Sequence, residues 1–392
     1  MITKFPRLAL PNEGLLVDFE QLYRLLQTVP DRRKRRGRRY PLAALLMIGV
    51  LAKLAGQDSS RALAQWAKLR QQELSQVFQL QRQAMPHYST WSRVLGHAVS
   101  PEEFELVMSQ FFKQQKRRKV PRRGSIQVCL DGKTLRGTIP AGQSQGVHLM
   151  AAYLPSQGVV LMQMEVGEKT NEITVAPKVV QTLDLRGVVV TGDAMQAQRK
   201  LSAQIVEAQG DYVWTAKDNQ PEVREEIALL FAPQQSRPGW SAPPTDFQQA
   251  STFNKGHGRL EKRTITVSSL LAGYSTFPSV AQVYQVESWA QLTGGRSQHE
   301  VRYGLTSLPA AVASPDRLLD LVRGQWQIEN GLHYRRDMTL REDHSQLRMG
   351  HAPHVFAILN NIVVGLVARQ GKTNLAEARR EFAYHLERAL AA

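Results

Sequence analysis

The chain has 392 residues, 42% of them hydrophobic and 21% charged, a length that suggests two or three domains. This composition excludes a mostly disordered, collagenous or coiled-coil chain. The sequence has no run of 18 apolar residues and no apolar core of a signal peptide near Met1, so we expect neither a membrane span nor secretion. The single cysteine, Cys129, excludes an internal disulfide and a cysteine-rich zinc site, and it fits a reducing, cytoplasmic compartment.

The net charge of +16 is unevenly distributed along the chain. Residues 1–123 carry 23 basic and 9 acidic side chains, whereas residues 124–392 carry 27 and 25. A basic module followed by a nearly neutral one indicates a polyanionic partner, most often nucleic acid. The alternative is a soluble, high-pI surface that has no such partner.

Residues 1–123 are predicted to form a basic, all-α domain that binds DNA. Pro41 opens an apolar stretch that ends at Gly56, which predicts a buried helix, and residues 59–78 are predicted to form one amphipathic helix. This region contains two basic runs. Arg32–Arg39 has seven basic residues in eight positions, and residues 113–123 are predicted to be the linker to the next domain.

From residue 124 the pattern changes to short apolar runs typical of buried strands, which alternate with amphipathic segments. The predicted order is β-β-β-α-β-α-β-α, a mixed α/β sheet with a meander at one edge. Residues 233–310 are predicted to be a β-rich insertion because they are rich in Pro, Gly, Ser and Gln around alternating segments. Helices are predicted again from Ser314, and residues 353–392 form the C-terminal helices.

Two acidic residues follow predicted strands directly. Asp131 comes after the first strand and Asp193 after the fourth. Ligands of open α/β sheets collect at the carboxyl ends of strands, and adjacent strands lie about 4.8 Å apart, so two such carboxylates can share a divalent ion. Hard cations such as Mg²⁺ take oxygen ligands. For each residue alone, a capping or turn aspartate is the simpler interpretation.

A third acid is predicted on the helix that begins near Ser314. At 100° per residue, one face of this helix carries Gln325, Glu329, His333 and Arg336, which is unusual for a simple core face. A solvated glutamate is the alternative for Glu329. Glu342 and Asp343 are rival third acids, but they lie beyond the predicted end of the helix.

Eight strings of the sequence resemble, in order, those of the H-repeat-associated, ISAs-type insertion-sequence transposases of the DDE superfamily. HYSTWSRVL near the N-terminus is also similar to this family. The eight strings are LDGKTLRGT (130–138), EKTNEI (168–173), TGDAMQAQ (191–198), GDYVWTAKDNQP (210–221), HGRLEKR (257–263), YGLTSL (303–308), RGQWQIENGLHYRRDMTLRED (323–343) and GHAP (350–353).

The resemblance implies a ribonuclease-H-like catalytic domain over 124–392 with a DDE triad of Asp131, Asp193 and Glu329. It implies that Asp131 bridges two Mg²⁺ ions, or Mn²⁺ ions in their place, and that Asp193 and Glu329 each hold one side. Two departures from the family stand out: Gln196 follows DAM, and Gln325 precedes the tryptophan, where the family often has histidine.

The resemblance also implies double-stranded DNA as partner, at the terminal inverted repeats and at a target, and a homodimer that joins two ends inside a bacterial cell, at the nucleoid. Near the triad, the predicted phosphate contacts are Lys133, Arg136, His333 and Arg336. Trp326 is predicted either to stack on a flipped base or to fill the core, the second being the commoner role of a tryptophan. In the first basic run, the predicted DNA contacts are Arg32, Arg33, Lys34, Arg35, Arg36, Arg38 and Arg39.

Three functions remain open from the sequence. The first is an active DNA transposase, the second a decayed or domesticated copy that binds DNA without cutting it, and the third a stand-alone metal nuclease of the same fold. The intact triad favours the first function, and the two glutamine departures keep the second open.

Overall fold

The computed structural model describes residues 19–113, 121–167, 170–233, 245–256, 259–292 and 297–385. The described residues form a mixed α/β protein with one nine-stranded mixed sheet and divide into two compact units. Unit 1 draws on three segments of the chain, Met1–Lys116, Gly132–Asn171 and Ile328–Ala392. Unit 2 draws on two, Arg117–Asp131 and Glu172–Gln327. The predicted division of the chain at residue 123 stays a prediction, and residues 114–120 of the predicted linker lie outside the described part.

The described residues between 19 and 113 form helices and no strands. The α-helices are α1 (Phe19–Leu26), α2 (Leu42–Leu54), α3 (Ser60–Leu69), α4 (Gln71–Val77), α5 (Tyr88–Arg93) and α6 (Pro101–Lys113). The predicted single helix over 59–78 is two helices, because the chain leaves helical geometry at Arg70, with φ −112° and ψ 22°. Helix α3 therefore ends at Leu69, and helix α4 begins at Gln71.

Helix α2 is buried along its whole length, as its apolar sequence predicts. It packs within unit 1 against α11 (Ala352–Arg369), and Leu359 of α11 lies where a side chain at Gly49 would project. Helix α11 is long and apolar enough to cross a membrane by length and composition, but 89% of its apolar window is buried inside the protein. Its hydrophobicity is therefore satisfied by packing within unit 1.

The strands described are β1 (Ile126–Thr134), β2 (His148–Leu154), β3 (Val159–Val166), β4 (Val188–Gly192), β5 (Asp211–Ala216), β6 (Gln248–Gly256), β7 (Arg259–Ser268), β8 (Gln282–Leu292) and β9 (Ser297–Thr306). Their order in the sheet is β3-β2-β1-β4-β5-β9-β8-β7-β6. Strand β4 pairs in parallel with β1 and with β5. The pairs β2–β3, β5–β9, β9–β8, β8–β7 and β7–β6 are antiparallel. The predicted element order of residues 124–231 is confirmed.

Helices lie between the parallel strands in the chain, as parallel pairing requires. Helix α7 (Glu172–Gln181) precedes β4, α8 (Arg199–Glu207) connects β4 to β5, and α9 (Pro221–Phe231) follows β5. The sequence between 245 and 306 is β-rich, as predicted, but its four strands extend the existing sheet through β9, which pairs with β5, instead of forming a separate sheet. The inner face of this extension packs on α10 (Pro315–Gly324) through an apolar cluster that contains Ile265, Tyr284 and Leu318.

The helical segment that begins with α10 widens after Gly324. The stretches Glu329–His333 and Arg335–Thr339 are turns of π-helix, and the amide of Leu340 donates to the carbonyl of Arg335, five residues earlier. Such wide turns are rare and occur often at functional sites. The chain then folds into α11 and α12 (Leu375–Tyr384), where the predicted C-terminal helices lie.

In unit 1, α6 and α11 cover β3 and enclose the carboxyl group of Glu105. Burial raises the pKa of Glu105 to about 8, although the charge of Arg336 and a hydrogen bond from Gln163 oppose the shift. His354 also faces this carboxyl group, with Nε2 at 3.9 Å. Folded Glu105 therefore keeps its proton in a pH range where the unfolded chain has lost it.

We expect the free energy of unfolding to fall as pH rises from about 4.5 to about 8, because only the unfolded chain releases the Glu105 proton in this window. The contribution of this group is at most about 1.4 kcal/mol per pH unit. Glu105→Gln should flatten the fall, and Glu73→Gln, at an exposed site on α4, should not. Urea unfolding at several pH values measures the difference; an equal slope in wild type and Glu105→Gln would contradict it.

Candidate active site

Asp131 and Asp193 lie side by side in the sheet because of the parallel register of β1 and β4. Leu130 of β1 pairs with Gly192 of β4. Asp131 is the next residue of β1, and Asp193 immediately follows the end of β4. Strand β4 is fully buried up to Gly192, so the apolar sequence fixes its register and brings Asp193 out at the carboxyl end. The predicted proximity of these two carboxylates is a property of unit 2.

Partial burial and nearby negative charges together raise the pKa of the Asp193 carboxyl group. Enclosure raises the pKa of its carboxyl group, and the nearby charges of Glu172 and Asp131 raise it further, against backbone hydrogen bonds from Gln196 and Met195. A carboxylate held among like charges favours a bound cation, which would relieve the repulsion. This arrangement supports a cation site beside Asp131 of β1 and Asp193, which follows β4.

Glu172 is a residue that the sequence analysis missed as part of this region. It begins α7, and its Oε2 accepts a hydrogen bond of 2.9 Å from Nε2 of Gln196. It lies inside the string EKTNEI, which marked the segment without singling out this carboxylate. In the sequence, its position inside this family-like string was the one feature that pointed to Glu172.

Gln325 ties the end of α10 to the ends of both strands. Its Nε2 donates to the carbonyl of Leu130 at 3.0 Å, and its Oε1 accepts from Oγ1 of Thr191 at 2.7 Å. Gly324 lies so close to Gln127 that a Cβ at this position would meet Oε1 at 2.0 Å. The helix therefore approaches β1 closely in unit 2, and the chain continues in helical geometry toward Glu329.

Glu329 and His333 lie on the first wide turn, four residues apart. Both residues belong to unit 1 and can act as metal ligands, with their ligand atoms within 4.8 Å of each other. A carboxylate oxygen suits Mg²⁺ or Mn²⁺, and an imidazole nitrogen is also a common metal ligand. The residues present thus fit a divalent cation.

Lys133 and Arg136, both predicted to contact phosphates, have acidic neighbours within unit 1. Nζ of Lys133 is 2.6 Å from Asp337 and 3.5 Å from Asp343, and its side chain is largely buried. Arg136 is exposed, with Nε 3.8 Å from Asp343. Arg136 has the accessible charge that a phosphate contact requires, whereas the charge of Lys133 is already compensated. Asp343, a rival third acid, forms ion pairs with both of these basic side chains.

Arg336 is fully buried, unlike the phosphate contact that the sequence predicts. Its Nε donates to Oε2 of Glu342 at 2.8 Å, and its Nη1 donates to Gln163 and Asn361. Burial raises the pKa of Glu342, but the guanidinium and the amide of Asn360 outweigh it, so that the pKa lies below its ordinary value. In this conformation the Arg336–Glu342 pair is internal, and neither residue has a surface for DNA.

Trp326 is not a core residue, which was the commoner of its two predicted roles. Its side chain is 59% exposed, whereas Trp91 and Trp214 are fully buried. An exposed indole beside the end of α10 is free to stack on a planar group. The predicted contact with a base stays a prediction.

The basic run Arg32–Arg39 is mostly exposed in unit 1. Arg33 is the exception: it is half-buried and bonded to Asp31 and to the carbonyl of Tyr40. Arg38 donates to two backbone carbonyls, and Arg32 lies 3.2 Å from Glu103. No ion pair is found, within the described part of the chain, for Lys34, Arg35, Arg36 and Arg39.

Comparison with known families gives two matches that cover most of the chain. Residues 122–366 match the family described as Transposase DDE domain, and residues 23–112 match the family described as DDE_Tnp_1-associated. The catalytic residues proposed from the sequence all fall inside the first match, and the basic run falls inside the second.

Several bacterial proteins are similar over much of their length. A protein in the dhlA 3′ region of Xanthobacter autotrophicus is 30% identical over 68% of this chain and 88% of its own length. The H repeat-associated putative transposase YhhI of Escherichia coli K12 is 23% identical over 90% of this chain and 91% of its own. The putative transposase YncI of Escherichia coli O157:H7 is 25% identical over 90% and 88%.

A solved structure of the piggyBac transposase synaptic complex with hairpin DNA aligns with 96% of this chain and 76% of its own. The TM-score is 0.38 and the identity 12%. Values of this size are too low to establish a shared fold.

Proposed function

This chain belongs to the DDE transposase family, a family of metal-dependent enzymes that cleave and transfer DNA, and from that premise we propose its specific reaction. The protein binds the terminal inverted repeats of an insertion sequence, cleaves the phosphodiester bonds at its ends, and joins the 3′-OH ends to target DNA. It acts as a homodimer on two DNA ends, in the bacterial cytoplasm at the nucleoid.

One observation carries this proposal: two carboxylates and the start of the third residue's helix converge on the same two strand ends. Asp131 and Asp193 follow the paired residues of β1 and β4, and Gln325 bonds to both strands one turn before Glu329. These contacts support Asp131, Asp193 and Glu329 as the catalytic triad. The strand order β3-β2-β1-β4-β5, with a hairpin beside three parallel strands, supports a ribonuclease-H-like core.

The chain's own residues have distinct parts in this reaction. The triad would hold Mg²⁺, or Mn²⁺ in its place; when bound, such ions activate an attacking hydroxyl and stabilise the leaving 3′ oxygen. Gln325 fixes the backbone of β1 immediately before Asp131, and Gln196 orients Glu172 beside Asp193. Arg136 and Trp326 have the exposure needed to contact the phosphates and bases of an end.

A catalytically decayed copy that only binds DNA is the second candidate, which the two glutamine departures keep open. Both glutamines make side-chain hydrogen bonds at the strand ends, Gln325 to Leu130 and Thr191, Gln196 to Glu172. They therefore replace histidine without leaving the strand ends unsupported, which favours the active enzyme. The third candidate, a stand-alone nuclease, would cut DNA without joining it.

One experiment separates the three candidates. The full chain is incubated with Mg²⁺ and a duplex that carries the inverted repeats flanking its gene, together with a target plasmid. We expect nicks at the repeat ends and joined products, both abolished by EDTA. Binding without nicks would establish the decayed copy, and nicks without joined products would establish the nuclease.

The basic run should supply much of the salt dependence of duplex binding. We expect Lys34→Gln, Arg35→Gln and Arg36→Gln together to make the slope of log K against log salt less steep by about two to three, because each neutralised phosphate contributes about −0.9. Fluorescence anisotropy of the full chain at several salt concentrations measures it. Lys178→Gln, Arg186→Gln and Arg224→Gln are a matched control at exposed sites of unit 2. An unchanged slope would remove the run from the interface.

A further inference from the structure

The outer face of the β6–β9 extension carries a row of aromatic and cationic side chains across four strands. Phe253 pairs with Lys262, Lys262 with Trp289, and Trp289 with His299. Residues directly opposite each other on neighbouring strands point to the same face of a sheet. These four residues, which we term the aromatic row, therefore stand side by side on one face of unit 2.

The other face of the same strands is buried in the interior of unit 2 where it meets α10, and it carries ion-paired side chains farther along the strands. Ala250, Ile265, Val286 and Tyr284 occupy alternate positions there and are buried against α10. Because side chains alternate between faces along a strand, the aromatic row lies on the face opposite this core. Its apolar groups are thus unnecessary for the core of unit 2, and their presence calls for another explanation.

The row is accessible, and two of its rings are stacked on each other. Phe253 is 74% exposed and Trp289 is 49% exposed. The rings of Trp289 and His299 stack with centroids 3.8 Å apart and planes 17° apart. The ammonium of Lys262 lies 5.4 Å from the centroid of Phe253. Phe253, Lys262 and Trp289 line a shallow cavity of about 410 Å³ together with Leu260.

The charges on this face indicate what covers the rings. Lys262 lies within the row, and Lys255 follows Phe253 at the next position on the same face. Among the described residues of these strands, Glu287, 3.8 Å from His299, is the one acid on that face. The acids Glu261 and Glu300 belong to the opposite face and are paired with arginines. An apolar protein surface would leave the lysines unsatisfied, whereas a polyanion that also offers planar rings complements both features.

We propose that the aromatic row binds unpaired nucleotides of a DNA strand, whose bases stack on Phe253 and Trp289 while phosphates contact Lys262 and Lys255. Aromatic side chains exposed on a sheet among cations form platforms of this kind. Four strands about 4.8 Å apart span about 14 Å, and stacked bases rise about 3.4 Å each, so the row accommodates about four nucleotides. The identification of this strand as DNA rests on the proposed function. The stacking of bases on the row is argued from the geometry of the row alone.

The test uses the full chain in EDTA, so that binding is measured without cleavage. The probe is a labelled oligothymidine of about twelve nucleotides, within the site sizes of such platforms. We expect Phe253→Ala and Trp289→Ala each to weaken its binding about 5- to 100-fold, and Trp289→Phe to restore most of the affinity. Lys262→Gln should make the salt slope less steep by about 0.7, the value per phosphate of a single strand.

Tyr274→Ala is the matched control, because this tyrosine is 84% exposed in unit 2 and lies outside the row. Equal losses in Tyr274→Ala, or unchanged affinity in both row variants, would overturn the proposal. An equal loss of affinity for a blunt duplex would also overturn it, because paired bases cannot stack on the row. Tighter binding of an oligouridine than of the oligothymidine would overturn the assignment to DNA. Loss of end cleavage in other variants bears on the proposed function alone.

Discussion

Asp131→Asn, Asp193→Asn and Glu329→Gln are each expected to reduce Mg²⁺-dependent cleavage of end DNA by about three orders of magnitude or more. Each substitution keeps the size of the side chain and removes the charge that holds a divalent ion, so the chemical step loses its metal-dependent stabilisation. Duplex binding should persist, because it depends on phosphate contacts elsewhere and a carboxylate near DNA repels phosphates. Cleavage is measured on a labelled end duplex and binding by anisotropy in EDTA.

The control for these variants is Glu222→Gln, at an exposed carboxylate in the first turn of α9. It should leave both cleavage and binding at the wild-type level. Full cleavage by Glu329→Gln, together with loss of cleavage in a folded Glu342→Gln protein, would overturn the choice of Glu329 as the third acid. The burial of Glu342 against Arg336 and Asn360 is the physical reason to expect the opposite.

Arg336→Met should lower the free energy of unfolding by about 3–5 kcal/mol, because it leaves the carboxylate of Glu342 buried with only an amide partner. Gln163 and Asn361 lose their bonds to the guanidinium in the same variant. The double variant Arg336→Met, Glu342→Leu should recover much of the loss, since it removes both charges. Denaturant unfolding of the three proteins measures the coupling.

A surface pair gives the comparison for this prediction. Arg186 donates two hydrogen bonds to Asp184, but both side chains are exposed, so Arg186→Met should change stability little. A small effect of Arg336→Met on unfolding, combined with a large loss of DNA affinity, would favour the phosphate contact that the sequence analysis assigned to Arg336.

The sequence predicted the order of elements in residues 124–231 because buried strands and amphipathic helices have different hydrophobic periods. It placed Asp193 directly after a strand for the same reason, whereas Asp131, predicted to follow the first strand, lies within β1, which continues to Thr134. The widening of the helix at Glu329 could not be predicted, since a regular period of 100° per residue was assumed there. That assumption put Arg336 on a polar face, whereas the structure buries it.

Two other features depended on tertiary contacts that a linear pattern does not record. Composition marked residues 233–310 as β-rich, but only the register with β5 shows that these strands continue the same sheet. Likewise, nothing in the local sequence distinguishes exposed Trp326 from buried Trp214, because their exposure depends on which distant segments pack over them.

The three-segment composition of unit 1 has a consequence for synthesis on the ribosome. The chain emerges from its N-terminus, so α2 is made more than 290 residues before its packing partner α11. Unit 2 has all its residues once Gln327 has emerged, whereas unit 1 lacks its last segment until residues 328–392 follow. Domains fold as units during translation, so unit 2 is completed first, and the apolar surface of α2 remains a target for chaperones until the chain is finished.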